Sequence, residues 1–146
     1  RTLMRLHLNI GSNSGNRESR IREAVAAVAL YFSMHGGKVM LSAPLRSAPW
    51  GYESDNEFIN IGLRADLGGE ASEGRVLEIF RALRRIEQSI CSAPHRNADG
   101  TYRDREIDID LIAVAGFAMA TDELTVPHPR ARERAFVMEP MRALEG

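Results

Sequence analysis

Several residue types are scarce in this chain, and each scarcity excludes something. The single cysteine, Cys91, rules out an internal disulfide and any cysteine-based zinc cluster, which fits a reducing, cytoplasmic setting. Only one of the 19 Lys and Arg residues is a lysine, and 20 Asp and Glu bring the net charge to −1. A near-neutral chain lacks the broad basic surface by which a protein holds nucleic acid, so no nucleic-acid partner is expected. The longest apolar stretch, Ala24 to Phe32, falls far short of the roughly 20 residues needed to span a bilayer, and it is amphipathic. No membrane association is therefore expected. No secretory signal is visible, although the chain begins at Arg1 and not at Met. No Walker loop is present, and no repeat or low-complexity segment appears.

What is present reads as one domain over residues 1–146, long enough to bury roughly two-thirds of its unfolded surface. Leu6, Leu8 and Ile10 alternate with His7 and Asn9, predicting a strand that ends at Gly11-Ser12-Asn13. Between Arg17 and Ser33, Ile21, Ala24, Val25, Val28 and Phe32 recur at helical spacing until Gly36-Gly37. Val39, Leu41 and Ala43 predict a second strand, which Pro44 and Pro49 break into an irregular loop through Trp50-Gly51-Tyr52. A third strand runs from Phe58 to about Leu67, with Ile59, Ile61, Leu63 and Ala65 on one face and Phe58 and Asn60 on the other. A second helix follows, about Ser72 to Ile90, with the stripe Val76, Phe80, Leu83, Ile86 and Ile90. Its Arg81, Arg84 and Arg85 lie on the opposite face and read as solvated. A long polar loop, Cys91 to Asp104, precedes a last strand, and a short helix begins near Ala135. The order βαββαβ predicts an α+β, ferredoxin-like sandwich with two helices on one face of an antiparallel sheet.

The most informative motif lies in that last strand, Arg105-Glu106-Ile107-Asp108-Ile109-Asp110-Leu111-Ile112. Side chains at i and i+2 of a strand share a face about 6 to 7 Å apart. Asp108 and Asp110 therefore project together while Ile107, Ile109 and Leu111 face the core. Paired hard oxygen donors suit Mg²⁺, which is commonly held by one or two carboxylates with waters and substrate phosphates. With Arg105 close by and no Walker loop, this points to phosphoryl transfer of a non-P-loop kind. Other features stay open on their own. Pro127-His128-Pro129 pins a histidine that either donates to phosphate or simply builds a turn. Phe58 and Phe136, taken singly, are core as readily as they are stacking rings.

As an ordered set these motifs are far more specific. Gly11-Ser12-Asn13, Arg46-Ser47-Ala48-Pro49-Trp50-Gly51, Phe58-Ile59-Asn60, Arg85-Ile86-Glu87, Arg105 to Ile112, and Val126-Pro127-His128-Pro129 through Arg134 and Phe136 occur in that order along nearly the whole chain. The set resembles 6-hydroxymethyl-7,8-dihydropterin pyrophosphokinase. The resemblance implies a ferredoxin-like enzyme of folate synthesis that transfers diphosphate from ATP to the hydroxymethyl group of the reduced pterin and releases AMP. It implies that Asp108 and Asp110 hold two Mg²⁺ ions bridging the ATP phosphates. Phe58 and Phe136 would sandwich the pterin, Asn60 would read its edge, and Ser47, Ala48 and Trp50 would complete recognition through backbone groups. Glu87, Arg105, Ile112, His128 and Arg134 match positions that bind the nucleotide or its phosphates. The expected partners are these two small substrates and the expected state is a monomer.

In one place the chain departs from the family's pattern. Where many members carry Gly-Arg-x-Arg, this chain has Cys91-Ser92-Ala93-Pro94, and Tyr102-Arg103-Asp104-Arg105 replaces Trp-Gly-Pro-Arg. Arg96 is the expected catalytic substitute, with His95 and Arg103 as alternatives from the same loop. Two other classes fit parts of the pattern. A palm-like nucleotidyl transferase also pairs acids on such a sheet, and a small-molecule sensor of the same fold would leave the acids as surface groups.

Overall fold

The computed structural model describes residues 2–13, 16–47, 57–91, 98 and 106–145. Its elements are β1 (Leu3–Ser12), α1 (Arg17–Met34), β2 (Lys38–Leu41), β3 (Leu45–Ser47), β4 (Phe58–Gly68), α2 (Glu73–Ile90) and β5 (Asp108–Val114). The short strands β6 (Met119–Ala120) and β7 (Thr125–Val126), a 3₁₀ turn (Ala131–Glu133) and α3 (Ala135–Ala143) complete it. The main sheet is antiparallel in the order β2-β4-β1-β5, with β3 also paired to β4. This is the ferredoxin-like arrangement.

Each predicted strand and helix of the main sandwich is present. Ile21, Ala24, Val28 and Phe32 of α1 and Val76, Ile79 and Leu83 of α2 are buried with Leu6, Leu8, Ile10, Leu63 and Ala65 in one core. Ser72 caps α2 by accepting the Arg75 backbone N–H at 3.2 Å, satisfying one of the donors a helix start leaves open. Cys91 is buried just past the end of α2 and carries no disulfide. Among the described residues, no helix is long and apolar enough to cross a membrane.

Two features differ from expectation. Residues 45–47, expected within an irregular loop, form β3: Leu45, Arg46 and Ser47 pair with Asn60, Ile59 and Phe58. An edge strand tolerates flanking prolines because one side of it needs no donors. The larger difference is that α3 covers the sheet face opposite α1 and α2, so β1 is buried on both sides and its His7 and Asn9 are only 3% and 4% exposed. Close approach of α3 depends on Gly62, where a Cβ would come within 2.8 Å of the Pro140 Cβ.

Candidate active site

The candidate site is the end of this second face, and the strand register lays it out in rows. Gly11 of β1 lies opposite Asn60 on β4 and Asp108 on β5; two residues along β1, Asn9 lies opposite Gly62 and Asp110. Asn60 and Asp108 are thus two strands apart, about 10 Å between backbones, with a glycine between them. The glycine is required. A Cβ on Gly11 would meet Asn60 Oδ1 at 2.6 Å and Phe58 Cδ1 at 3.5 Å, so only a bare backbone lets the Asn60 amide lie across β1. Asn60 is itself 2% exposed, and Ser12 and Asn13 of the Gly-Ser-Asn turn are fully buried.

Asp108 and Asp110 are half-buried on one face of β5 while Ile109 and Leu111 enter the core, as the alternation predicts. Glu87, from α2, is 1% exposed; its Oε2 accepts the backbone N–H of Ile109 at 2.8 Å, between the two aspartates. Its Oε1 lies 3.1 Å from Arg84 Nη1. Glu87 therefore holds the β5 backbone and Arg84. The arginine run expected to be solvated is partly engaged as well: Arg81 donates to both carboxylate oxygens of Glu123, at 2.8 and 2.7 Å, and Arg84 shares a cleft of about 330 Å³ with Asp110, Thr125 and His128. In the sequence, the i,i+3 spacing of opposite charges was the available signal for the Arg84–Glu87 contact.

A β-bulge shapes the far end of β5. His7 pairs with Ala113 and Leu8 with Leu111, so Ile112 is the extra residue. Its side chain is buried with Ala131 and Val137, and its carbonyl accepts the His128 N–H at 2.7 Å, tying the Pro-His-Pro segment to the edge of the sheet. His128 Nδ1 accepts the Arg130 N–H at 3.3 Å, which leaves the proton of the neutral ring on Nε2. Burial, then the charges of Arg134 and Arg130, hold this imidazole below the ordinary histidine range. At neutral pH His128 is a neutral donor. Arg134, at the start of α3, stands over the Phe136 ring at 5.8 Å, a cation–π distance.

The structure therefore brings Phe58, Asn60, Asp108, Asp110, Ile112, His128, Arg134 and Phe136 to one face of the sheet, and places Glu87 behind it. Ala48, Trp50, Arg96 and Arg105 lie outside the described residues, as does most of the polar loop after Cys91, and of Ser47 only the backbone is described. Among the described residues no three His, Cys, Asp or Glu side chains converge on one point. Asp108 and Asp110 supply two hard oxygen donors on one strand face. They fit a hard cation whose remaining ligands are waters and substrate phosphates.

Paired acids, a neutral histidine donor and a bare-backbone notch on a ferredoxin-like sheet suit phosphoryl transfer, and comparison with known proteins makes the class specific. Residues 7–146 match the model of the 7,8-dihydro-6-hydroxymethylpterin-pyrophosphokinase family. A 2-amino-4-hydroxy-6-hydroxymethyldihydropteridine pyrophosphokinase of Porphyromonas gingivalis is 31% identical over 139 residues, covering 93% of this chain and 87% of that one. That of Methylorubrum extorquens is 31% identical over 140 residues, covering 95% and 81%. A mitochondrial folate synthesis bifunctional protein of Pisum sativum is 34% identical over 94% of this chain, which corresponds to 24% of the pea protein. The chain belongs to the 7,8-dihydro-6-hydroxymethylpterin-pyrophosphokinase family. It is an ATP-dependent diphosphotransferase of folate biosynthesis, and ATP is its co-substrate.

Proposed function

We propose that Asp108 and Asp110 hold two Mg²⁺ ions together with the phosphates of ATP, and that the pterin stacks between Phe58 and Phe136 with Asn60 reading its edge. The observation that carries this reading is the row Asn60–Gly11–Asp108, an amide and a carboxylate on either side of a bare backbone. The Asn60 amide offers both a donor and acceptor positions, the mixed pattern a pterin edge presents. A ring held there directs its hydroxymethyl arm toward β5.

On the other side, ATP occupies the cleft of Arg84, Asp110, Thr125 and His128. The His128 Nε2–H donates to a phosphoryl oxygen, and Arg134 and Arg105 add charge-assisted donors. Arg96 supplies the charge that the family's missing arginines would bring. The hydroxyl oxygen attacks the β-phosphorus, the bond between that phosphorus and the α,β-bridging oxygen breaks, AMP leaves with the electron pair, and the hydroxyl proton is released to solvent. Bound Mg²⁺ offsets phosphate charge and lowers the pKa of the pterin hydroxyl. The chain's own residues hold the two reactants in line at a half-buried site. The protein acts as a cytoplasmic monomer on these two small molecules.

Asp110→Ala tests the site. AMP formation should fall by about three orders of magnitude, while calorimetric pterin affinity stays within about threefold, because a transition-state interaction is removed and the stacking pocket is not. Retained turnover, or an equal loss of pterin binding, would remove the metal role from this acid.

A further inference from the structure

Pro140 lies inside α3, where any other residue would donate its N–H to the carbonyl four positions back, that of Phe136. Proline has no such donor. The Phe136 carbonyl instead accepts the side-chain amide of Asn9, at 2.9 Å, across 127 positions of sequence. A carbonyl oxygen pairs only with a donor, so the Asn9 NH₂ is oriented toward it. Asn9 sits in the row Gly62–Asn9–Asp110, and the missing side chain at Gly62 is what lets Pro140 settle onto the sheet beside it. Three features that look unrelated in the sequence therefore form one device. A proline opens a carbonyl, a glycine brings that turn of helix down to the sheet, and an asparagine takes the carbonyl.

We propose that Asn9 is a positioning residue for pterin recognition: through the carbonyl that Pro140 leaves open, it fixes the first turn of α3 and so the Phe136 ring. The proposal rests on the reading that Phe136 stacks on the pterin. An amide at 4% exposure is costly to bury, and an apolar side chain would fill the same place at lower cost, so the bond to Phe136 gives the asparagine its use. A purely structural role predicts a different outcome, in which stability falls and both substrates are affected alike.

The experiment combines Asn9→Leu, Pro140→Ala and the double variant, with KM for each substrate, pterin affinity by calorimetry, and Tm. Asn9→Leu should raise the pterin KM and Kd about tenfold and leave the ATP KM within about twofold, the scale typical of losing an outer support of a binding group. In the Pro140→Ala background the new N–H at position 140 can take the Phe136 carbonyl, so the same substitution should cost no more than about threefold. Should Asn9→Leu fail to fold, Asn9→Ser, too short to reach the carbonyl, carries the same expectation. Equal factors in both backgrounds, or equal effects on ATP and pterin, would overturn the proposal. Phe136→Ala separates the two ideas. A parent-like pterin KM there removes the stacking reading itself, whereas a raised KM with a background-independent Asn9 effect removes only the role of Asn9.

Discussion

The face of the sheet beneath α3 is polar along its length, but its two ends are assembled differently. At one end Arg5 Nε meets Asp66 Oδ1 at 3.0 Å, Arg64 Nη2 meets Asp66 Oδ2 at 2.9 Å, and Arg64 Nη1 donates to the Leu144 carbonyl at 2.7 Å. Opposite charges interlock there and tie the C-terminal end of α3 to the sheet. At the other end two acids of the same sign stand side by side on β5, and Asn60 lies over a glycine. Burial of polar groups therefore does not by itself mark function on this face. What separates the ends is the sign of the charges: opposite signs interlock at one, whereas two acids of like sign share a strand face at the other.

Substitutions can test that contrast. After Asp110→Ala, the largest effect is expected at Glu87→Ala, which takes the acceptor from the Ile109 N–H between the two aspartates and releases Arg84. Turnover should fall about 10- to 100-fold with a matching rise in the Mg²⁺ concentration needed for half-maximal rate, the usual scale for groups that orient metal ligands. A loss confined to the ATP KM would instead mean that Glu87 touches the nucleotide, as its match to the family's pattern implies.

At the structural end, Asp66→Asn should leave kcat and both KM values near those of the parent while lowering stability by about 1 to 2 kcal/mol in urea melts. Burial pushes the Asp66 carboxyl up, but hydrogen bonds from Arg5 and then Arg64, with their charges, outweigh it and hold the group below its ordinary value. A carboxyl depressed on folding contributes stability that is present above its unfolded pKa of about 4 and is lost as the pH falls through its folded value. The parent should therefore weaken below about pH 4 more steeply than Asp66→Asn.

The smallest effect belongs to His7. Burial is the main reason its imidazole sits below the ordinary histidine range; Arg64 and Arg5 reinforce this, and Glu145, with Oε1 3.8 Å from Nε2, partly opposes it. The folded state resists the proton that the unfolded state accepts, so stability should decline as the pH drops from about 6.5, by less than about 1 kcal/mol. His7→Gln should flatten that slope with unchanged turnover. If it changed turnover as much as Glu87→Ala does, the two ends of the face would be one functional unit and the contrast would fail.

Much of this was legible in the chain. Alternation located β1, β4 and β5, and helical spacing located α1 and α2, because each buries one face against a common core. The placement of α3 was not legible, since β1 reads as a half-exposed strand until its His7 and Asn9 are seen under a second layer. Local pattern carries no information about a partner 127 residues away. The same limit applies to Arg81, whose partner Glu123 lies 42 residues on. β3 was hidden by Pro44, which marks a break but does not forbid a three-residue edge strand. Of the site, the acids, Asn60 and His128 were visible as motifs, whereas Glu87 as a strut and Gly11 as a notch required the register.

The bonds around β5 also bear on solubility. β5 is an outer strand of the sheet, and an outer strand with open N–H and C=O groups invites another chain to add to it. Here Glu87 occupies the Ile109 N–H, the bulge at Ile112 breaks the regular spacing, and the His128 N–H occupies the Ile112 carbonyl. The contacts that hold the acid-bearing strand in place thus close the same edge to strand addition. Variants that loosen the site should gain a tendency to self-associate along with their loss of rate.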